Sequence, residues 1–461
     1  MGDENMFMTR TSHYSRCEIE SLPYSYEENT HNQGAIPETQ EYEPPINVPE
    51  LPAEIWTKIF VYATLIPGAF DLEDSSAIAG FTRDHHGICV NNRYQAAMRT
   101  KTTAALVCKY WNNITQRHLF EYIRITSGAQ ARLIADALRN APGNLGEKTL
   151  RIDIALEGIH IWENTHRKAI FQIFKSCPNL VCFSTAFSTE EPSIYTHGAL
   201  FDILACHMHL KRLEIKVNYL GTVAAFERVL GDRLQVLWLV PNQRLRLLSK
   251  VPEGQEYHFP KLHTLVTLGG CENFTRHFEL PNLRACIMEQ SECSILPSCD
   301  EGKITYVRIR PECPAIAHLQ QWSNLETFSI QYKELANQVI SWPVGFQHSK
   351  LQCIVIEGVE GGWRLQGKVA ATSSTFSFDH LQENLSRLIS QEQFPRLRCA
   401  KIVLPLQRSA PDFLNAVKHV WRIWLRECKS RGIRLEVSQG QEESTANYWT
   451  EITHQDMFER L

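Results

Sequence analysis

Eight short segments of this chain share one pattern, and their spacing constrains the fold more than any other feature does. HLKRLEIKVN from His209, RLQVLWLVPN from Arg233, KLHTLVTL from Lys261, NLRACIM from Asn282, KITYVRI from Lys303, NLETFSI from Asn324, KLQCIVI from Lys350 and RLRCAKIVL from Arg396 all place apolar residues at positions one, four and six of a short strand. The anchors Leu210, Leu234, Leu262, Leu283, Ile304 and Leu325 follow one another at intervals of about 21 to 28 residues, a period that means a stacked array. Between the strands, RKAIFQIFKSC, GALFDILACH, AAFERVL, FDHLQENLSRLI and FLNAVKHVWRIWLREC show helical spacing. One repeat cannot bury its own stripe, whereas stacked neighbours can. Residues 121–438 therefore read as one continuous α/β domain of alternating strands and helices, with the helix around Trp421 and Trp424 capping its C-terminal end.

The period and pattern resemble leucine-rich repeats. Leu210 to Asn218 and Leu234 to Asn242 fit LxxLxLxxN in full, while the other segments lack the Asn, so the expected solenoid is irregular. Alternation along each strand sets Lys211, Glu214, Lys216, Gln235, Trp238, Arg308 and Arg310 opposite the buried anchors, as an exposed recognition face.

Ahead of the repeats the character differs. Residues 1–47 carry few aliphatics, with no Lys or Arg between Arg16 and Lys58, and read as a disordered acidic tail; 439–461 reads as a polar tail. In LPAEIWTKIF, Pro52 suits a helix's first turn. Leu51, Ile55, Ile59 and Tyr62 recur at helical spacing, and Trp56, Phe60 and Ala63 widen the stripe, so the helix wants contacts on two sides. Residues 65–101 read as an irregular insertion, after which Val107, Tyr110, Trp111 and Ile114 restore the helical pattern.

LPAEIWTKIF followed by ALVCKYWNNITQRHLF resembles an F-box: Leu-Pro, an acidic residue, an apolar helix ending in Ile-Phe, then a Val-Cys-basic-x-Trp helix. The resemblance implies a small all-helical bundle over 48–120 that docks on a Skp-type adaptor of a cullin-RING ubiquitin ligase. Leu51, Pro52, Ile55, Ile59 and Phe60 would supply the first part of the docking surface, and Leu106, Val107, Cys108 and Trp111 the second. The repeats would then capture a protein target. The alternative is a leucine-rich-repeat scaffold without ligase association, its helical segment a mere N-terminal cap.

Other classes are not expected. A net charge of -4 and no Lys/Arg run argue against nucleic acid. No stretch approaches the roughly 18 apolar residues of a membrane span, and MGDENMFMTR lacks a signal peptide's apolar core, which points to the cytoplasm or nucleus. The 14 cysteines are scattered, Cys293 and Cys299 have no second pair at zinc-site spacing, and Cys206, His207 and His209 fall where a helix gives way to a strand. GWRLQGK, Gly362 to Lys368, matches GxxxxGK, but Val369 stands where Ser or Thr must hold magnesium. No catalytic residue, metal or cofactor is expected; the ubiquitin chemistry would belong to other subunits.

Overall fold

The computed structural model describes residues 51–82, 88–140, 143–155, 164–187, 197–217, 220–241, 256–267, 277–288, 298–309, 319–331, 345–357, 378–404, 422–439 and 450–451. They belong to one compact unit, Leu51–Leu461. GWRLQGK, Asn218, Asn242, Cys293, Arg310, Trp421 and the two tails lie outside the described residues, apart from Gln439 and the pair 450–451.

The repeat segments become β1 (Tyr122–Ile125), β2 (Arg151–Ile154), β3 (Cys182–Ser184), β4 (Arg212–Val217), β5 (Val236–Pro241), β7 (Thr264–Thr267), β9 (Ala285–Met288), β11 (Tyr306–Ile309), β12 (Thr327–Gln331), β13 (Cys353–Glu357), β14 (Cys399–Leu404) and β15 (Arg434–Gln439). They pair in parallel in that order, and β16 (Thr450–Glu451) adds antiparallel to β15. The register is continuous, so Tyr122, Arg151, Cys182, Arg212, Val236, Thr264, Ala285 and Tyr306 form one row across the sheet. This is a mixed α/β fold with a long parallel sheet, solenoid-like in its repetition.

One face of the sheet carries the main core. Ile123, Ile125, Ile152, Ile154, Leu213, Ile215 and their counterparts pack with Leu138, Ile173, Phe174, Leu204 and Phe226 from α5 (Gly128–Asn140), α6 (Asn164–Ser176), α7 (His197–Cys206) and α8 (Leu220–Leu230). Further along, Leu385 and Leu388 of α9 (Phe378–Leu388) and Trp424 of the helical residues 422–430 do the same. All six anchors are buried.

In the middle of the array the alternation of strands with helices gives way. Where the anchors Leu262, Leu283 and Ile304 stand 21 residues apart, the outer side holds short strands, β6 (Tyr257–His258), β8 (Phe278–Leu280) and β10 (Ser298–Cys299), paired in parallel. A repeat of that length holds its strand and a short outer segment.

The residue just before an anchor ties its repeat to the preceding one, a device not read from the sequence. Asn179 Nδ2 donates to Glu147 O at 2.8 Å, Asn282 Nδ2 to Pro260 O at 2.7 Å, Lys303 Nζ to Pro281 O at 2.8 Å, and Arg233 to Leu204 O at 3.1 Å. Asn324 donates likewise to Gly302 O. Each bond gives a backbone carbonyl of the preceding repeat a side-chain donor. The visible signal was a long donor side chain immediately ahead of a Leu or Ile anchor.

His207 is buried at the end of α7, its ring 5.7 Å from Phe174, while Cys206 and His209 are exposed. Burial, with Arg233 nearby, holds the imidazole below its ordinary range, and burial does the same to His263. The unfolded chain therefore takes up protons first as pH falls below about 6.5. Stability is lost from there downward, through the depressed folded values. Urea midpoints should fall between about pH 7.5 and about pH 5.5, and the fall should shrink in His207→Gln. An unchanged fall in the variant would remove His207 from this account.

Candidate functional site

Among the described residues, four helices build the N-terminal segment. Pro52, at φ -52 and ψ 148, opens α1 (Ala53–Ala63), with Glu54 in the first turn where the helix dipole favours it. Residues 65–101, expected to be irregular, instead contain α2 (Ser75–Thr82) and most of α3 (Ile88–Val107). The chain then breaks at Cys108, extended at φ -161 and ψ 166, whose Sγ accepts from the Trp111 backbone N–H and so caps α4 (Lys109–Leu119). Lys101 Nζ, buried, donates to His118 O at 2.7 Å and locks α3 to α4; burial lowers its pKa.

The two apolar stripes of α1 part company. Trp56 and Phe60 turn inward, with ring centroids 4.5 and 5.1 Å from Trp111, and with Ala104 and Ile114 they form a small separate core. Ile55 and Ile59 remain 40% exposed, and Leu106 and Val107 at the end of α3 are 81% and 58% exposed. Tyr62 and Tyr110 add to this exposed apolar surface, Pro52 and Cys108 are exposed, and Leu51 is half-buried. Phe60 was expected on the docking surface and is instead core, because its ring fills the space between α1 and α4. Trp111 is half-buried against it.

The second face of the sheet, expected to be the recognition face, is covered over much of its length. Ile66, Ala69, Ile78, Ala79, Phe81 and Val90 pack on Tyr122, Val236, Trp238, Val266, Ala285, Ile287 and Tyr306. Glu214, Trp238 and Arg308 are buried, in correction of their expected exposure. Lys211 is exposed and Lys216 and Gln235 half-buried. The described residues between 66 and 97 are thus a lid folded onto the repeat domain.

Charge holds the lid. Arg151 lies 2.8 Å from Asp153 and 2.6 Å from Glu214, and donates to Ala69 O at 2.8 Å. Arg212 lies 2.7 Å from Glu214 and donates to Gly68 O at 2.6 Å and Asp71 O at 2.8 Å. Further along, Arg308 donates to Ala79 O at 3.3 Å and pairs with Glu357 at 2.7 Å. Phe81 presents its ring to two guanidinium groups, 4.6 Å from Arg151 and 5.2 Å from Arg212.

Arg124 pairs with Asp153 at 3.5 Å, so Arg124, Arg151 and Arg212 face the carboxylates Asp153 and Glu214. The excess positive charge is met by lid carbonyls, so the lid is held by polar contacts here and by apolar packing on Val236, Trp238, Val266 and Ile287. Burial works against ionising both acids: it pushes Asp153 up, whereas Arg151 and Arg212 together hold Glu214 below its usual range.

The turn into α2 depends on Gly68 at φ +78, where a Cβ would stand 2.3 Å from Ala77 O and 2.6 Å from the Phe81 Cβ. Gly68→Ala should cost about 2–3 kcal/mol, the sum of positive φ and overpacking, read as a shift in the urea midpoint. A change within about 0.5 kcal/mol would contradict the tight turn.

No protein-family model matches the sequence, and no curated protein matches it. Among solved structures, a chain of the Rad7 and Elc1 complex of yeast is similar over 74% of this chain and 90% of its own, at 11% identity and a TM-score of 0.31, a likeness too distant to assign a function.

Proposed function

We propose that this chain is the substrate-recognition subunit of a Skp/cullin-RING type ubiquitin ligase, acting in the cytoplasm or nucleus. One observation carries the reading. The two segments that resemble an F-box have satisfied their inward stripe through Trp56, Phe60, Trp111 and Ile114, yet still present Ile55, Ile59, Leu106 and Val107 to solvent. Apolar side chains that the chain's own fold leaves open on neighbouring helices favour coverage by a partner. A Skp-type adaptor is the partner that the resemblance implies.

The fold supports such a role mechanically. The Tyr94 ring of α3 packs 4.9 Å from Tyr122 on the sheet, while the far end of the same helix carries Leu106 and Val107. A helix of 20 residues, about 30 Å long, thereby fixes the docking surface relative to the repeats. Fixed spacing is what catalysis by proximity requires: the chain holds a protein target near a ubiquitin-charged enzyme and contributes no catalytic group itself. With the lid in place, target capture falls to surfaces other than the row from Tyr122 to Tyr306.

Titrating the full chain with a purified Skp-type adaptor tests this. Leu106→Lys and Ile59→Lys should each weaken binding by more than about tenfold, while stability changes by under about 0.5 kcal/mol at Leu106. Absence of binding by the intact chain would leave a repeat scaffold without ligase association.

A further inference from the structure

We propose that Cys353 and Cys399 form a redox-active dithiol, which a peroxide closes to a disulfide and a thiol reductant reopens. The inference rests on the pairing of β13 with β14 and is independent of the adaptor reading.

Cys353 and Cys399 are direct partners in the parallel register. Adjacent strands stand about 4.8 Å apart, within the Cα separation of about 4.4–6.8 Å that a disulfide spans. Equal parity in the register puts both side chains on the same face, opposite Ile354, Ala400 and Ile402 of the apolar core, to which neither thiol belongs. Cys353 is half-buried and Cys399 is 8% exposed.

The register sets the two thiols side by side, and their surroundings differ. The neighbouring Cys353 thiol comes first among the influences that hold the Cys399 thiol below its ordinary range, with Lys401 and Arg434 assisting against burial and Glu436. Cys399 and burial push the Cys353 thiol up. By contrast, burial pushes Cys177 up to about 11 and Cys428 up to about 12, as expected of thiols that only fill space.

The step balances with a peroxide as the oxidant. The Cys399 thiolate attacks one peroxide oxygen, the O–O bond breaks, and the leaving hydroxide takes a proton as water. Cys353 sulfur then attacks the Cys399 sulfenic acid; the S–S bond forms, the S–O bond breaks, and the hydroxide leaves as water with the Cys353 proton. Two thiols are oxidised by two electrons and hydrogen peroxide is reduced to two waters. A dithiol reductant reverses it by exchange.

The test treats the native full chain with graded hydrogen peroxide, then alkylates it unfolded and maps the peptides by mass spectrometry. Cys108 and Cys206 are exposed and serve as internal controls for reactivity by access alone. The expected result is a Cys353–Cys399 linked peptide at doses about tenfold or more below those that modify Cys108 or Cys206, lost on treatment with dithiothreitol. Cys353→Ser should leave a sulfenic acid at Cys399 that dimedone labels. Oxidation of Cys108 and Cys206 ahead of a pair that stays alkylatable would overturn the proposal.

Discussion

Arg151→Ala should lower the unfolding free energy by about 3–5 kcal/mol, the cost of breaking a buried ion network from one side. The side chain is fully buried, touches both Asp153 and Glu214, and reaches the lid at Ala69 O. Without it, Asp153 keeps Arg124 and the Tyr122 hydroxyl, and Glu214 keeps Arg212, but the lid loses one of its charged donors. Since stabilities of about 5–15 kcal/mol are usual, the variant should lose much of its margin. Arg151→Met combined with Glu214→Leu should cost clearly less than the sum of the two single changes, because each removes the other's stranded charge. Chemical denaturation of the four species reads both effects. A surface-like change within about 0.5 kcal/mol would mean that Arg151 faces solvent and the lid is not seated.

Trp238→Ala should cost about 3–5 kcal/mol, the usual range for emptying a core aromatic site. Trp238 is 0% exposed, with its ring 5.4 Å from Phe187, which in turn lies 5.7 Å from Phe81 of the lid. Trp238→Phe should cost under about 1.5 kcal/mol. It keeps most of the contact and removes an indole N–H that has no hydrogen-bond partner among the described residues. Calorimetric or urea unfolding of both variants separates this account from an exposed binding role, in which neither change would move stability and both would alter target capture.

These two positions also show where reading the sequence stops. The anchors from Leu210 to Leu325 and the helices α6 to α9 were legible because burial writes a period into the chain, of roughly 20–30 residues between repeats and 3.6 within a helix. Ile55, Ile59, Leu106 and Val107 were named through the F-box resemblance of the two segments, and all four are exposed. Glu214, Trp238 and Arg308 were misplaced because alternation along a strand identifies the second face of a sheet without saying what covers it. A charged residue facing a partner looks, in sequence, like one facing water.

The lid was unreadable for a related reason. α2 is eight residues long, without a strong stripe, and its place is set by Arg151, Arg212 and Arg308, which lie 82, 144 and 229 residues from the lid carbonyls they meet. No local pattern encodes contacts at that range. The hint available was compositional: arginines and acids at alternate positions of strands otherwise built from Ile and Leu, as in RIDI and RLEI, which favours a polar partner segment over bulk solvent only once the strands are known to be adjacent.

Hydrogen–deuterium exchange of the full chain, alone and saturated with a Skp-type adaptor, tests the central claim most directly. The account predicts that 66–82 exchange as slowly as the sheet in the chain alone, and that the adaptor adds protection over 51–63 and 104–116 without changing 66–82. Rapid exchange of 66–82 in the chain alone, or protection that falls on the lid and spares the α1 and α3–α4 surfaces, would contradict it.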